Sequence, residues 1–120
     1  MSPLTLIFTL SCSKEEAIYE PQDKKNPYKL YEEGLLAFKK NDYFFASKKF
    51  SEAELYFEII DLSAKSAIMS SFSLYGINFY TEAIENLERY LKTYPSDKNI
   101  IYAHYLIANI YYEQISDETK

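Results

Sequence analysis

Two residue types that commonly carry covalent or metal chemistry occur once each in this chain: Cys12 and His104. A lone cysteine has no partner for an internal disulfide, and one cysteine with one histidine cannot complete a metal site built from such ligands. Neither a Ser/His/Asp nor a Cys/His arrangement can be assembled around them, and the 18 acidic residues are spread along the chain rather than gathered. The chain therefore reads as non-catalytic, with no cofactor. His104 falls on an apolar helical face and is expected to pack there. Three roles remain for Cys12: a small buried apolar residue, a free thiol, or an attachment point.

The neighbourhood of Cys12 favours attachment. No charge occurs from Met1 to Ser13. The apolar segment Leu4–Leu10 is far shorter than the roughly 20 residues a membrane span needs. It has the size of the apolar core of a secretory signal, and Ser11 supplies the small residue that signal cleavage uses. A cysteine directly after that small residue resembles the lipobox of bacterial lipoproteins, with Thr9 where that family usually has leucine. The resemblance implies a signal over 1–11, cleavage before Cys12, and Cys12 as the lipidated residue of the mature chain. The alternative is an ordinary N-terminal segment with an incidental thiol.

A chain of 120 residues holds at most one ordinary domain. Its net charge of −5 argues against a nucleic-acid partner, which selects basic faces. Two glycines and four prolines are too few for a turn-rich β protein, whereas 13 tyrosines and 8 phenylalanines can fill a core with some left over. Lys39, Lys40, Lys48 and Lys49 form a local basic exception, most simply a solvated face. The stretch "SKEEAIYEPQDKKN" is polar and lacks helical periodicity, so 12–26 reads as a flexible tether. Asn26-Pro27 then opens a helix, with Asn as its cap and Pro at its first position.

From Pro27 onward the sequence repeats. "NDYFFASKKF" aligns with "NFYTEAIENL": Asn41/Asn78, Tyr43/Tyr80, Ala46/Ala83 and Phe50/Leu87 each stand 37 residues apart. Gly34, Ser71 and Ala108 follow the same period, and all three are small. A fixed period of this size with helical patterning means stacked helical hairpins. Small residues belong where two backbones approach, so Gly34 is expected to face Ala46, and Ser71 to face Ala83. Asn41-Asp42 and Asn78 serve the turns. Phe50 and Leu87 fill the space between hairpins, and Pro95 closes the second. The pattern predicts an all-α fold of five helices, at about 27–40, 43–58, 64–76, 80–93 and 98–114.

This small–aromatic–small pattern resembles the tetratricopeptide repeat (TPR), whose hairpins stack into an α-solenoid. Gly34, Ala46, Phe50 and Ala53 match in the first repeat; Ser71, Ala83, Leu87 and Pro95 match in the second, where Tyr90 replaces a small residue. Ala108 and Tyr111 match in a third. The region 27–120 is thus expected to hold two full repeats and the first helix of a third. That helix should turn Ile107, Ala108 and Tyr111 toward a partner supplied by a longer protein. In such arrays the first helix of each hairpin lines a groove. The groove positions are then Tyr28, Tyr31, Leu35 and Phe38; Lys65, Ile68, Phe72 and Tyr75; and Tyr102, Tyr105, Asn109 and Tyr112. Their spacing of three, four and three is one helical face. The aromatic members either pack between neighbouring first helices or receive an extended peptide.

The order of lipobox, polar tether and TPR hairpins resembles the BamD family of β-barrel-assembly lipoproteins. "CSKEE" and "ERYLKTYPSDKNIIYAHYLIANIYYEQISDETK" carry the resemblance. It implies a lipid-anchored protein on the periplasmic face of the outer membrane. Its partners would be a BamA-like barrel protein, other assembly lipoproteins and the C-terminal peptides of unfolded barrel proteins. Tyr28, Tyr31, Phe38, Phe72, Tyr75, Tyr102, Tyr105 and Tyr112 would form the peptide-binding face. The alternative function is that of another envelope TPR lipoprotein, an adaptor in cell-wall or division coordination.

Overall fold

A computed structural model describes residues 25–118, and its regular elements are five helices. These are α1 (Pro27–Lys39), α2 (Tyr43–Tyr56), α3 (Ile60–Gly76), α4 (Tyr80–Thr93) and α5 (Ile100–Glu118). α1 with α2, and α3 with α4, are the two expected hairpins, and α5 packs against the second. The signal, the lipidation position Cys12 and most of the tether lie outside the described residues.

α1 starts as its sequence dictates. The Asn26 Oδ1 accepts the Tyr28 N–H at 3.0 Å, and Pro27 sits in the first turn, where no helical partner exists for an N–H. It ends at an asparagine in the left-handed region: Asn41 has φ 64°. Asn78, one period later, has φ 62° and ends α3 in the same way. Both turns close with the same backbone bonds. Asn41 and Asp42 donate to Phe38 and Ala37, and Asn78 and Phe79 donate to Tyr75 and Leu74, at 2.9–3.0 Å. Asparagine is among the few residues with a side chain that visit this conformation readily. In each turn a tyrosine two residues on ties the asparagine down: Tyr43 Oη donates to Asn41 Oδ1 at 2.9 Å, and Tyr80 Oη to Asn78 Oδ1 at 3.1 Å.

Two boundaries differ from expectation by four residues, the others by two or fewer. α3 begins at Ile60, four residues before the predicted start, with no side-chain cap at Ile59. Its first turns are held by packing, since Ser63 and Ala64 are buried, and a packing-driven start leaves no capping signature. α5 runs on to Glu118. One period after Asn41 and Asn78 stands Ile115, which has no turn chemistry, so the helix continues where its predecessors turned.

The core falls into two clusters. Ala37, Ala46 and Phe50 form the first, flanked by Tyr31, Leu35, Phe38 and Met69. The second gathers α3, α4 and α5 around Ala67, Ala83, Leu87, Tyr90, Ala103, Leu106 and Ile110. Phe50 and Leu87 are fully buried, as the repeat requires. The small residues also meet partners that the repeat did not name. A Cβ on Gly34 would stand 2.8 Å from Phe50 Cε1, so the glycine makes room for that ring. Ser71 donates to Ala67 O at 2.9 Å and accepts from Asn86 Nδ2 at 2.7 Å, so it meets a polar side chain of α4. α3 buries five further serines or alanines along its length, and its buried hydroxyls bond mainly to carbonyls one turn back, which lets two helices approach without stranding a polar group.

A polar clasp joins the hairpins. Arg89 of α4 grips Glu54 of α2 through two bonds of 2.7 and 2.8 Å, and Tyr94 Oη donates to the same carboxylate at 2.6 Å. Fork-to-fork geometry of this kind is the strong form of an ion pair.

Candidate functional site: an aromatic face on the first helices

α1, α3 and α5 carry the predicted groove residues, and the structure splits them into two groups. Tyr31, Phe38, Phe72 and Tyr75 are half-buried. Their rings form a ladder from one hairpin to the next: Tyr43 to Phe38 at 5.1 Å, Phe38 to Phe72 at 5.7 Å, Phe72 to Tyr75 at 6.1 Å, and Tyr75 to Tyr80 at 6.1 Å between centroids. These are edge-to-face or tilted arrangements, which aromatic quadrupoles favour. Tyr31 meets Phe50 at 5.1 Å, and the Lys65 ammonium lies 5.9 Å from the centre of its ring. Burial pushes the Tyr31 hydroxyl above its ordinary pKa. Phe38 and Phe72 thus pack one first helix on the next, as expected for rings between neighbouring helices.

The second group is open. Tyr28, Tyr102, Tyr105 and Tyr112 are 59%, 41%, 62% and 71% exposed. Tyr28 leans edge-on against Phe57 at 5.1 Å and lines a 320 Å³ cleft with Tyr56 and Ile59. Tyr102, Tyr105 and Tyr112 share one side of α5 at helical spacing. Burial, with Tyr105 nearby, raises the Tyr102 pKa.

One residue that ties α5 to the half-buried group was absent from the sequence-based set. Glu113 of α5 accepts from Tyr75 Oη at 2.5 Å and from Tyr80 Oη at 3.2 Å. The hydrogen bond to this carboxylate, with burial adding to it, pushes the Tyr75 phenol up to about 12. Burial first, and Glu113 second, raises Tyr80. One period before Glu113, at the end of α3, stands Gly76, over which the Tyr43 ring sits at 2.9 Å from a hypothetical Cβ. The signal was a carboxylate where the period puts a glycine, which repeat alignment alone treats as noise.

His104 does not pack: it is exposed, on a stripe with Ile101, Ala108, Tyr111 and Ile115. Of the three residues expected to await a partner helix, Ala108 and Tyr111 are exposed, whereas Ile107 packs against the second core cluster. Among the described residues no group of His, Cys, Asp and Glu is placed to hold a metal ion, and no helix is long and apolar enough to cross a membrane.

Residues 23–120 match the family described as YfiO, outer membrane lipoprotein. The chain belongs to this family. Two curated proteins named outer membrane protein assembly factor BamD are similar to it. The Rickettsia prowazekii protein is 31% identical over 88 residues, covering 73% of this chain and 35% of its own length. The Caulobacter vibrioides protein is 33% identical over 91 residues, covering 76% of this chain and 30% of its own length. The chain thus spans about a third of the length of these relatives. No solved structure matches it. The family match takes in all five helices, whose stacked hairpins make an all-α, TPR-like architecture.

Proposed function

We propose that this chain provides TPR hairpins of a BamD-type outer membrane assembly factor, a non-catalytic scaffold that receives extended segments of unfolded barrel proteins. The observation that carries the reading is the row of exposed tyrosines Tyr102, Tyr105 and Tyr112 on α5, beside the ring ladder of α1 and α3. Tyrosine offers a large flat contact with a polar tip, which suits a peptide with apolar and aromatic side chains. The half-buried rings serve as the floor that fixes the helices, and the exposed ones make the contact. Family membership and the names of the two relatives support the outer membrane setting. Cys12 is the residue proposed to carry the lipid that holds the protein at the periplasmic face. A BamA-like barrel protein and other assembly lipoproteins are the proposed partners.

The test pairs Tyr105→Ala with Tyr112→Ala, because both rings are exposed and their loss leaves the helix packing intact. A labelled C-terminal peptide of a barrel protein is titrated by fluorescence anisotropy. Aromatic contacts at the centre of an interface are worth more than about 1 kcal/mol each, so affinity should fall at least about tenfold. Unchanged affinity with unchanged helix content would sink the peptide reading. For the anchor, Cys12→Ser should make the protein removable from membranes by high salt, which leaves an acylated protein in place; an intact Met1 or a free thiol in the mass of the mature protein rejects lipidation.

A further inference from the structure

The far side of the first hairpin carries a patch that the aromatic face does not use. On α2, Phe44 and Lys48, and Phe45 and Lys49, stand one helical turn apart, and each ammonium lies over the ring before it, at 4.8 and 5.2 Å from the centroid. Phe44 and Phe45 are 50% and 44% exposed. Across the turn, Leu36 of α1 and Lys40, which caps its end, share a 260 Å³ cleft with Phe45, and the exposed Phe79 ring approaches Phe44 at 6.5 Å. Lys49 lies 3.6 Å from Glu33; among the described residues Lys40 and Lys48 have no carboxylate within ion-pair distance. Glu33 and Asp42 line the same cleft, and Glu52, one turn along α2, is held below its usual range by Lys25 first and more weakly by Lys49 and Lys48, so the distinctive feature is the row of ammonium groups over exposed rings.

Soluble surfaces usually place lysines over carboxylates, not over exposed phenylalanines. Cations interleaved with Phe and Leu are the composition of surfaces that lie in a membrane interface, rings among the acyl boundary and ammonium groups among the headgroups. An acidic peptide suits the patch less well. The cleft is itself lined by Glu33 and Asp42, which would repel a carboxylate entering it, whereas a plane of phosphates meets the lysines first. We infer that this face docks on an anionic phospholipid leaflet. The inference draws on the reading of Cys12 as the anchor only for proximity. The patch lies at the turn end of α1, about 20 Å along the helix from the residue where the chain enters it. The 14 residues from Cys12 to Asn26 span at most about 50 Å, enough to lay that end on the bilayer.

The experiment uses the full chain with Cys12→Ser, so that acylation plays no part, and co-sediments it with vesicles of phosphatidylcholine alone or mixed with phosphatidylglycerol. Binding to the anionic vesicles only, abolished by high salt, is expected. Each lysine near an anionic surface changes partitioning about fivefold, so Lys40→Gln with Lys48→Gln and Lys49→Gln should weaken binding by more than about tenfold. Phe44→Ser with Phe45→Ser should weaken it as well, with circular dichroism unchanged in both variants. Equal binding to neutral vesicles, or a triple variant that binds like the parent, overturns the inference. So does failure to bind anionic vesicles; if a polyglutamate peptide then binds, the face belongs to an acidic protein segment. None of these outcomes touches the acylation of Cys12, which the mass of the mature protein decides separately.

Discussion

Between α2 and α3 the helices meet through their smallest side chains, while the second hairpin and α5 meet partly through long aromatic ones. At the first junction Ser70 bonds to Ser47 O at 3.1 Å and to Ser51 Oγ at 2.7 Å, and the Tyr43 ring lies directly over Gly76. At the second, Ala103, Leu106 and Ile110 supply the apolar contact and Glu113 is held by two phenols. α3 is covered along most of its length; α5, equally apolar in composition, leaves Ile101 83% and Ile115 62% exposed. The contrast teaches that the hydrophobicity of a helix does not set its burial. Its neighbours do, and α3 has neighbours on both sides.

The largest effect should come from the first hairpin, which the first junction joins to the second. Phe50→Ala empties a fully buried site against Gly34, and such truncations cost about 3–5 kcal/mol. Urea denaturation monitored by helicity measures it, and a loss below about 1 kcal/mol would mean the ring is not the keystone of that hairpin. Next is the clasp. Arg89→Ala leaves the Glu54 side chain, 9% exposed, with Tyr94 as its remaining hydrogen-bond donor. Hydrogen bonds to charged groups contribute about 1.5–3 kcal/mol. A double-mutant cycle with Glu54→Gln should recover most of that as coupling; additive effects would show that the pair does not join the hairpins.

The two turns permit a direct comparison. Asn41→Ala and Asn78→Ala each remove the polar side chain that lets asparagine adopt the left-handed region, where an ordinary residue pays up to about 1–2 kcal/mol. Because the turns are the same, their melting temperatures should fall by similar amounts. A large inequality would break the equivalence of the repeats.

The smallest effect belongs to the second junction. Tyr75→Phe removes one hydrogen bond to Glu113, worth about 0.5–1.5 kcal/mol. Its pH dependence has a definite sign. The Tyr75 phenol titrates near 10 in an unfolded chain and at about 12 in the fold, where its neutral form donates to the carboxylate. The contribution is complete below about pH 10 and is lost as pH rises toward 12. Stability of the parent chain should therefore decline over that window, and less steeply in Tyr75→Phe. Identical alkaline profiles would show that Glu113 does not hold Tyr75.

The ends of α1 and α3 were legible because they are local chemistry: Asn26 caps, Asn41 and Asn78 turn, and each acts through its own backbone. The 37-residue period placed Phe50 and Leu87 in the core for a related reason, since identical hairpins stacked on one another must bury identical positions. The start of α3, the overrun of α5 and the environment of His104 were not legible. Each depends on what another helix leaves covered or bare. Among the candidate site residues, sequence placed the aromatic face on the first helices but not its division. Tyr31, Phe38, Phe72 and Tyr75 are held because a neighbouring first helix reaches them, and Tyr102, Tyr105 and Tyr112 are free because α5 turns that side outward.

By itself the sequence determined the helical class, the turn positions and the family, because caps, left-handed asparagines and a fixed period are properties of residue order. Only the tertiary structure decided that the Tyr75 and Tyr80 phenols would meet Glu113 where the previous repeat has a glycine contact, that Arg89 would find Glu54 35 residues away, and that Lys40, Lys48 and Lys49 would share a ring-studded face. Those outcomes depend on the approach of one helix to another, which the spacing along a chain constrains but does not specify.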